Sequence, residues 1–428
     1  MYRTALEDLR AWKKSSRRKP LVLDGARQVG KTWLLQKFGA EDYANIAYVN
    51  LEKDKGASEI FDDSFDPHRI IARLALHLSM EIKPDETLIV IDEAQQNPRS
   101  LTALKYFQEE APEYHIVVAG SLLGIAIHEG ASFPVGKVNH LYIHPLTFGE
   151  FLIALGKNGL ADAIVHRDFN LIAPLHDELI ELWKTYLIVG GMPEAVQSYL
   201  DDRSMLSVRN VQIDILHDYE RDFSKYADKF TTPKIMEIFN IIPSVLAKEN
   251  KKFMFGMIKE SARAREYDGA LLWLNRAGVA LRVNRITKVA HPLAAYLDRG
   301  TFKLFCVDVG LLSCKAGLYP ETIYDEDKFE EFKGALAEQF VFQELYAKEI
   351  TPYYYSADDS RAEIDFVIGK NAEIVPIEVK SGKNLAATSL TSLLKHNLGM
   401  HAIKISALPY TENEQITNLP FYATSTIS

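Results

Sequence analysis

Short unbroken apolar runs alternate with stretches of helical periodicity through the first third of the chain. LVL at 21–23, IAYV at 46–49, LIVI at 88–91 and IVVA at 116–119 are too short and too continuous for amphipathic helices. They read as strands buried on both faces, with LYI at 141–143 a further candidate. Strands alternating with helical segments predict βαβ units and a parallel sheet, hence the α/β class. From about residue 148 to 239 the pattern turns helical, interrupted at Gly190, Gly191, Met192 and Pro193. Residues from about 231 to 287 predict three helices followed by a strand. The third helix carries REYDGALLWLNRAG, with Leu271, Leu272, Leu274 and Ala277 on its apolar side, Gly278 as its stop and 279–286 opening a β-wing. From Phe332 onward a helix precedes strands at 364–368 and 374–379, followed by more helix and strand. No internal repeat or low-complexity tract interrupts the order.

A length of 428 residues exceeds one hydrophobic core and predicts two to four domains. With 47% apolar and 25% charged residues the composition is that of a soluble globular chain. The formal net charge of -9 argues against an overall basic nucleic-acid surface, yet residues 248–299 hold 11 Lys and Arg against 5 Asp and Glu. The two cysteines, Cys306 and Cys314, form no CxxC pair, which fits a reducing compartment and excludes a cysteine-rich zinc ribbon. The opening MYRTALEDLRAWKKSSRRKP lacks the apolar run of a signal peptide, and no stretch approaches the roughly 20 apolar residues that span a bilayer. A cytoplasmic protein without membrane contact is expected.

GARQVGKT at 25–32 fits G-x-x-x-x-G-K-[ST] at every defined position, and it sits between an apolar strand and a helix, where the chemistry requires it. Gly25 and Gly30 let the backbone curl so that successive N–H groups, those of Arg27 included, face phosphate oxygens. Lys31 is expected on the β- and γ-phosphates of ATP, and Thr32 on magnesium. The apolar strand of LIVIDEAQ delivers Asp92 and Glu93 at its end, where two buried-strand acids need a cation or a catalytic task. Asp92 is expected to act through magnesium's water shell, and Glu93 to polarise the attacking water. Ser121, after HIVVAG, is a candidate γ-phosphate sensor or equally a helix cap. Arg27, Arg99 and Lys137 are candidates for the transition-state cation. His140 and His144 lie in the strand-like HLYIH and read as packing or loop residues.

GARQVGKT, LIVIDEAQ, AGS, FPVGKV with HPLTFGEFL, YLIVGGMPEAV, FKLFCVDVGLL and GALAEQFVFQEL follow one another in a single chain. In that order they resemble the bacterial and archaeal AAA-type ATP-binding proteins that carry a C-terminal conserved domain of unknown function. The resemblance covers nearly the whole chain. It implies a P-loop AAA-like ATPase domain at 1–150, a helical linker or lid region at 151–230, a winged-helix-like domain at 231–325 and a restriction-endonuclease-like domain at 326–428. That family often has arginine where this chain has Lys137, which weakens a finger role for that position.

In the tail, AEIDFVI and VPIEVKSG form a strand pair carrying Asp365, Glu378 and Lys380. Alternation puts Asp365 opposite the Ile364, Phe366 and Ile368 face, and projects Glu378 and Lys380 together. Paired strands would bring Asp365 and Glu378 within about 5 Å, an arrangement a divalent cation would relieve. This is the D…E-x-K pattern of restriction-type nucleases: two carboxylates for Mg2+ or Mn2+, and Lys380 for charge or water activation. Glu338 resembles the additional upstream acid of that superfamily. A solvated outer face, where Glu and Lys are ordinary, is the competing reading.

Three functions compete. One is an ATPase whose nucleotide state governs DNA or partner binding, with Lys251, Lys252 and Arg285 as DNA contacts and a metal-dependent nuclease tail. The second is an ATP-dependent switch that never cuts, and the third an adaptor whose tail recognises a protein. Oligomerisation is left open.

Overall fold

The apolar runs of the first third become the interior of a parallel sheet. The computed structural model describes residues 1–120, 134–248, 251–318, 326–357, 362–370, 373–382, 387–397 and 399–427. They divide into two compact units, Tyr2–His144 with Arg276–Gly278, and Pro145–Asn275 with Val279–Ser428 and Met1. In the first unit, strands β1 (Leu21–Asp24), β2 (Asn45–Asn50), β3 (Thr87–Asp92), β4 (His115–Ala119) and β5 (Asn139–Tyr142) form one sheet in the order β2-β3-β4-β1-β5. Every pairing in it is parallel. All of β3 and β4 is buried, which is why their sequences run apolar without alternation. Helices Pro67–Leu78 and Pro98–Glu110 each start with a proline in the first turn, capped by the side chains of Asp66 and Asn97. Ile70, Leu74, Leu101, Leu104 and Phe107 from these helices pack with Val22, Ile89, Ile91 and Ile116 of the sheet. The loops that follow β1 and β3 emerge at the carboxyl ends of their strands, the edge at which α/β sheets bind ligands.

The second unit opens with helices, among them Phe148–Ala154, His176–Val189, Pro193–Asp202, Met205–Tyr226, Thr232–Leu246 and Ala264–Asn275 of the helix Ala264–Arg276. It continues into an eight-stranded mixed sheet of β6 (Ala280–Ile286), β7 (Leu297–Cys306), β8 (Tyr353–Ser356), β9 (Glu363–Lys370), β10 (Glu373–Lys380), β11 (Ala402–Ser406), β12 (Thr411–Glu412) and β13 (Ile416–Pro420). The strand order is β12-β13-β11-β10-β9-β8-β6-β7. This changes the picture drawn from sequence. Strand β6, expected to open a wing of a domain ending at 325, pairs antiparallel with β7 and belongs to the same sheet as the tail strands, because it also pairs in parallel with β8. A parallel partner needs a long crossover, and helices Val309–Lys315 and Glu326–Ala347 lie in the intervening chain. The sheet therefore runs across the expected boundary at 325/326.

Helix Glu326–Ala347 is central to this unit. Leu336, Phe340, Val341 and Leu345 are buried together with Glu338, Gln339, Gln343 and Glu344, so from Ala335 to Leu345 the helix is enclosed on all sides. Its two glutamines are satisfied by neighbouring segments. Gln339 accepts from the Cys306 N–H and donates to the Cys306 carbonyl, at 2.8 and 2.7 Å. Gln343 accepts from the Val309 N–H at 2.8 Å and donates to the Tyr186 hydroxyl at 2.7 Å. The motif GALAEQFVFQEL is thereby accounted for as a set of buried connectors.

Candidate functional site

The loop after β1 is shaped by its glycines. Gly25 has φ of +141°, and a Cβ there would run into the carbonyl oxygen of Ile143. Gly30 has φ of +92° and caps helix Lys31–Asp42. Lys31 is buried, and its ammonium donates to the carbonyls of Gly25 and Ala26 at 2.7 and 2.8 Å. Burial pulls that ammonium down to about 8, against the pull of Asp24, Glu93 and Asp92. Asp24 accepts from the Gly25 N–H at 2.7 Å, and burial raises its carboxyl. Arg27 is half-buried and adds positive charge beside Lys31.

Asp92, at the end of β3, is the meeting point of three elements. Its Oδ2 accepts from the Thr32 hydroxyl at 2.8 Å and from the Tyr48 hydroxyl at 2.7 Å, and its Oδ1 accepts from the Glu93 N–H at 2.9 Å. Glu93 has φ of 52°, an unusual left-handed turn for a non-glycine residue directly after a buried strand. Burial raises its carboxyl, and a hydrogen bond from the Gln95 amide to Oε2 works in the other direction. Tyr48 and Gln95 were not singled out from the sequence. Tyr48 belongs to the site through the register of β2 on β3, which sets Asn50 beside Asp92 and Tyr48 beside Val90. A hydroxyl in the otherwise apolar run IAYV was the available signal.

The remaining candidates fall elsewhere or are engaged. Ser121 lies outside the described residues. Arg99 donates to the Phe61 carbonyl at 3.0 Å with its guanidinium over the Phe65 ring, and Lys137 pairs with Glu109 at 2.9 Å. His144 is held down at about 4 by burial and then Arg3, and its ring lies tilted against Tyr142 with centroids 4.7 Å apart, in keeping with a packing role.

In the second unit β9 and β10 pair antiparallel with Phe366 opposite Ile377, so the next pair along is Asp365 and Glu378. Glu378 bonds Lys380 at 2.7 Å, and Asp365 accepts from the Val379 N–H at 2.8 Å. Lys303, fully buried on β7, reaches Glu363 at 2.8 Å, Glu338 at 3.4 Å and Asp365 at 4.0 Å, while Lys251 pairs with Glu338. Among the described residues no group of three or more His, Cys, Asp or Glu side chains is arranged to hold a metal ion. Glu338, Asp365 and Glu378, expected as ligands of Mg2+ or Mn2+, each stand beside a lysine ammonium group. Two of the expected DNA contacts also have partners within the second unit. Lys251 is spent on Glu338, and Arg285 donates to the Ser356 carbonyl and to Asp298 at 3.2 Å, because β6 is an inner strand rather than a projecting wing.

Residues 17–152 match the family model of the AAA domain, residues 180–322 that of a domain of unknown function (DUF8612), and residues 333–423 that of another (DUF4143). The chain thus carries an AAA-type domain around the loop and acids described above. Among curated protein sequences none matches. Solved structures that resemble the chain include the Walker-type ATPase PABY2304 of Pyrococcus abyssi, at 15% identity over 72% of this chain and 94% of that one, with a TM-score of 0.45. Others are the Aeropyrum pernix ORC1 protein in complex with DNA, at 14% over 73% and 90% with 0.27, and AMPPCP-bound DnaA from Aquifex aeolicus, at 12% over 63% and 85% with 0.29. At these TM-scores the likeness carries no functional assignment. No helix among the described residues is long and apolar enough to cross a membrane.

Proposed function

We propose that this protein binds and hydrolyses ATP at the loop of Gly25, Arg27, Gly30, Lys31 and Thr32, with Glu93 as the water-polarising base. The observation that carries this reading is the convergence of Thr32 and Asp92 at 2.8 Å, with Glu93 next in the chain and the Lys31 ammonium bonded to the loop's own carbonyls. Phosphate oxygens can take over the bonds that Lys31 makes to Gly25 and Ala26, converting loop-internal contacts into charge-assisted ones. Magnesium fits the Thr32 and Asp92 oxygens and, when bound, neutralises phosphate charge. The chain's own part is to fix the phosphates through backbone N–H groups, to keep Lys31 charged against them, and to aim Glu93 at water. Lys31→Ala should abolish ATP binding. Glu93→Gln should retain ATP and turn over on the order of 100-fold more slowly. Equal ATPase rates in wild type and Glu93→Gln would remove the base from the scheme.

For the second unit the favoured reading is a binding module governed by nucleotide state, with a protein partner ahead of DNA. What supports it is the internal use of Lys251 and Arg285, two of the three basic residues expected to face DNA. DNA affinity that drops steeply with salt, and weakens on replacing Lys252, Lys259 and Arg263, would restore the DNA reading.

A further inference from the structure

The acidic cluster of the second unit brings together residues from five segments. Glu338 comes from helix Glu326–Ala347, Glu363 and Asp365 from β9, Glu378 from β10, and the charges that meet them from β7 (Lys303), from the segment before β6 (Lys251) and from β10 again (Lys380). Lys303 has no exposed surface, and its ammonium also lies over the Tyr354 ring at 5.0 Å from the centroid. Such a placement is costly unless the charge is fully matched. Burial alone would push the Lys303 ammonium down, but Glu338, Glu363 and Asp365 overcome it and hold the group above the usual lysine range. Glu338, which burial alone would raise, is brought down to about 2 by Lys251 and Lys303.

We infer that Lys303 is the resident cation of this cluster, pairing Glu338 and Glu363 beside Asp365, and that these three carboxyls and Glu378 form a metal-independent core rather than a divalent-metal site. The carboxylates that sequence reading set aside for a metal have a protein partner instead. Lys303 stands among three of them, within 4.0 Å of each, and Lys380 holds the fourth. A divalent ion among Glu338, Glu363 and Asp365 would have to sit beside the buried Lys303 ammonium, a like-charge contact that a low-dielectric surrounding penalises heavily. The same arrangement explains why a lysine interrupts the apolar strand FKLFC: it ties β7 to β9 and to the central helix through charge. The inference stands apart from the ATPase reading, because its test uses nucleotide-free protein and reads stability and metal binding rather than turnover.

The test follows thermal unfolding and Mn2+ binding, the latter by electron paramagnetic resonance, in wild type, Glu378→Gln, Lys303→Ala and the Lys303→Ala/Glu378→Gln double variant. Wild type should show no Mn2+ binding or stabilisation that depends on Glu378. Lys303→Ala should lose on the order of 10 °C in midpoint, since it removes the buried cation that Glu338, Glu363 and Asp365 surround. Mn2+ should recover part of that loss, and the recovery should vanish in the double variant. If Lys303→Ala does not fold, Lys303→Gln takes its place, and the wild-type titration is decisive without either. Mn2+ bound or stabilising in wild type and lost in Glu378→Gln would overturn the inference. So would a Lys303→Ala variant as stable as wild type.

Discussion

The Tyr48 hydroxyl and the Thr32 hydroxyl donate to the same oxygen of Asp92, at 2.7 and 2.8 Å. Burial, and then Asp92 itself, hold the Tyr48 phenol far above its ordinary value, so it remains a donor at any working pH. Asp92 is thereby oriented from β2 as well as from the P-loop helix. Tyr48→Phe should leave the fold intact and weaken apparent Mg2+ affinity in the ATPase assay about tenfold, the worth of one hydrogen bond to a charged acceptor. An unchanged Mg2+ dependence would show that Thr32 alone fixes Asp92.

Gln95 acts on Glu93 in a comparable way. Its amide donates to Oε2 and favours the ionised carboxyl against burial. Gln95→Ala removes that donor, so the acid limb of the kcat–pH profile should move to higher pH while KM for ATP stays near the wild-type value. A limb that stays in place, or a change confined to KM, would assign Gln95 a packing role.

Lys31 sets a second pH dependence at the opposite end. Its ammonium titrates at about 8 in the nucleotide-free loop, because burial disfavours the charge. Below that pH the loop meets ATP already charged, and above it binding must take up a proton. ATP affinity should therefore decline above pH 8, by up to about tenfold per pH unit. Calorimetry at pH 9 in buffers of different ionisation enthalpy should reveal proton uptake on binding. Affinity that is flat from pH 7 to 9.5 would contradict the desolvated lysine.

The P-loop and the β3 acids were legible in sequence because their chemistry demands contiguous spacing after a buried strand, and an apolar tetrad followed by Asp92 and Glu93 signals that locally. Tyr48 was hidden because its role arises from the lateral order β2-β3, which no local pattern encodes. Lys303 was hidden for the same reason. A lone lysine in FKLFC reads as an outward residue, and only the approach of Glu338, Glu363 and Asp365, 35 to 62 positions later in the chain, makes burial tolerable. The strand β6 was read from its apolar run at 279–286, but β7 was not, and the parallel neighbour β8 lies beyond two helices, so a wing was the nearest local interpretation.

Glu344 supplies a stability prediction from a motif residue that the proposed chemistry does not use. It is buried, its Oε1 accepts from the Phe148 N–H at 2.8 Å, and its Oε2 has no hydrogen-bond partner. Burial is the main cause that raises its carboxyl to about 7, with Glu150 adding to the rise and the Phe148 N–H and Lys348 opposing it. Below pH 4.5, the ordinary value for glutamate, the group is protonated in both folded and unfolded chains and its contribution is fully present. Between 4.5 and about 7 the unfolded chain releases the proton while the folded chain keeps it, so stability is lost across this window. The loss amounts to about 3 kcal/mol once the pH has passed the folded value. Glu344→Gln preserves an acceptor for Phe148 and cannot ionise. Its stability relative to wild type, measured by urea unfolding, should rise by about 2.5 kcal/mol between pH 5 and pH 8, the unfolded glutamate being already partly ionised at pH 5. Any fixed cost of placing an amide in the site cancels in that difference. A difference that stays constant across the same range would mean that Glu344 ionises in the folded protein as easily as it does in water.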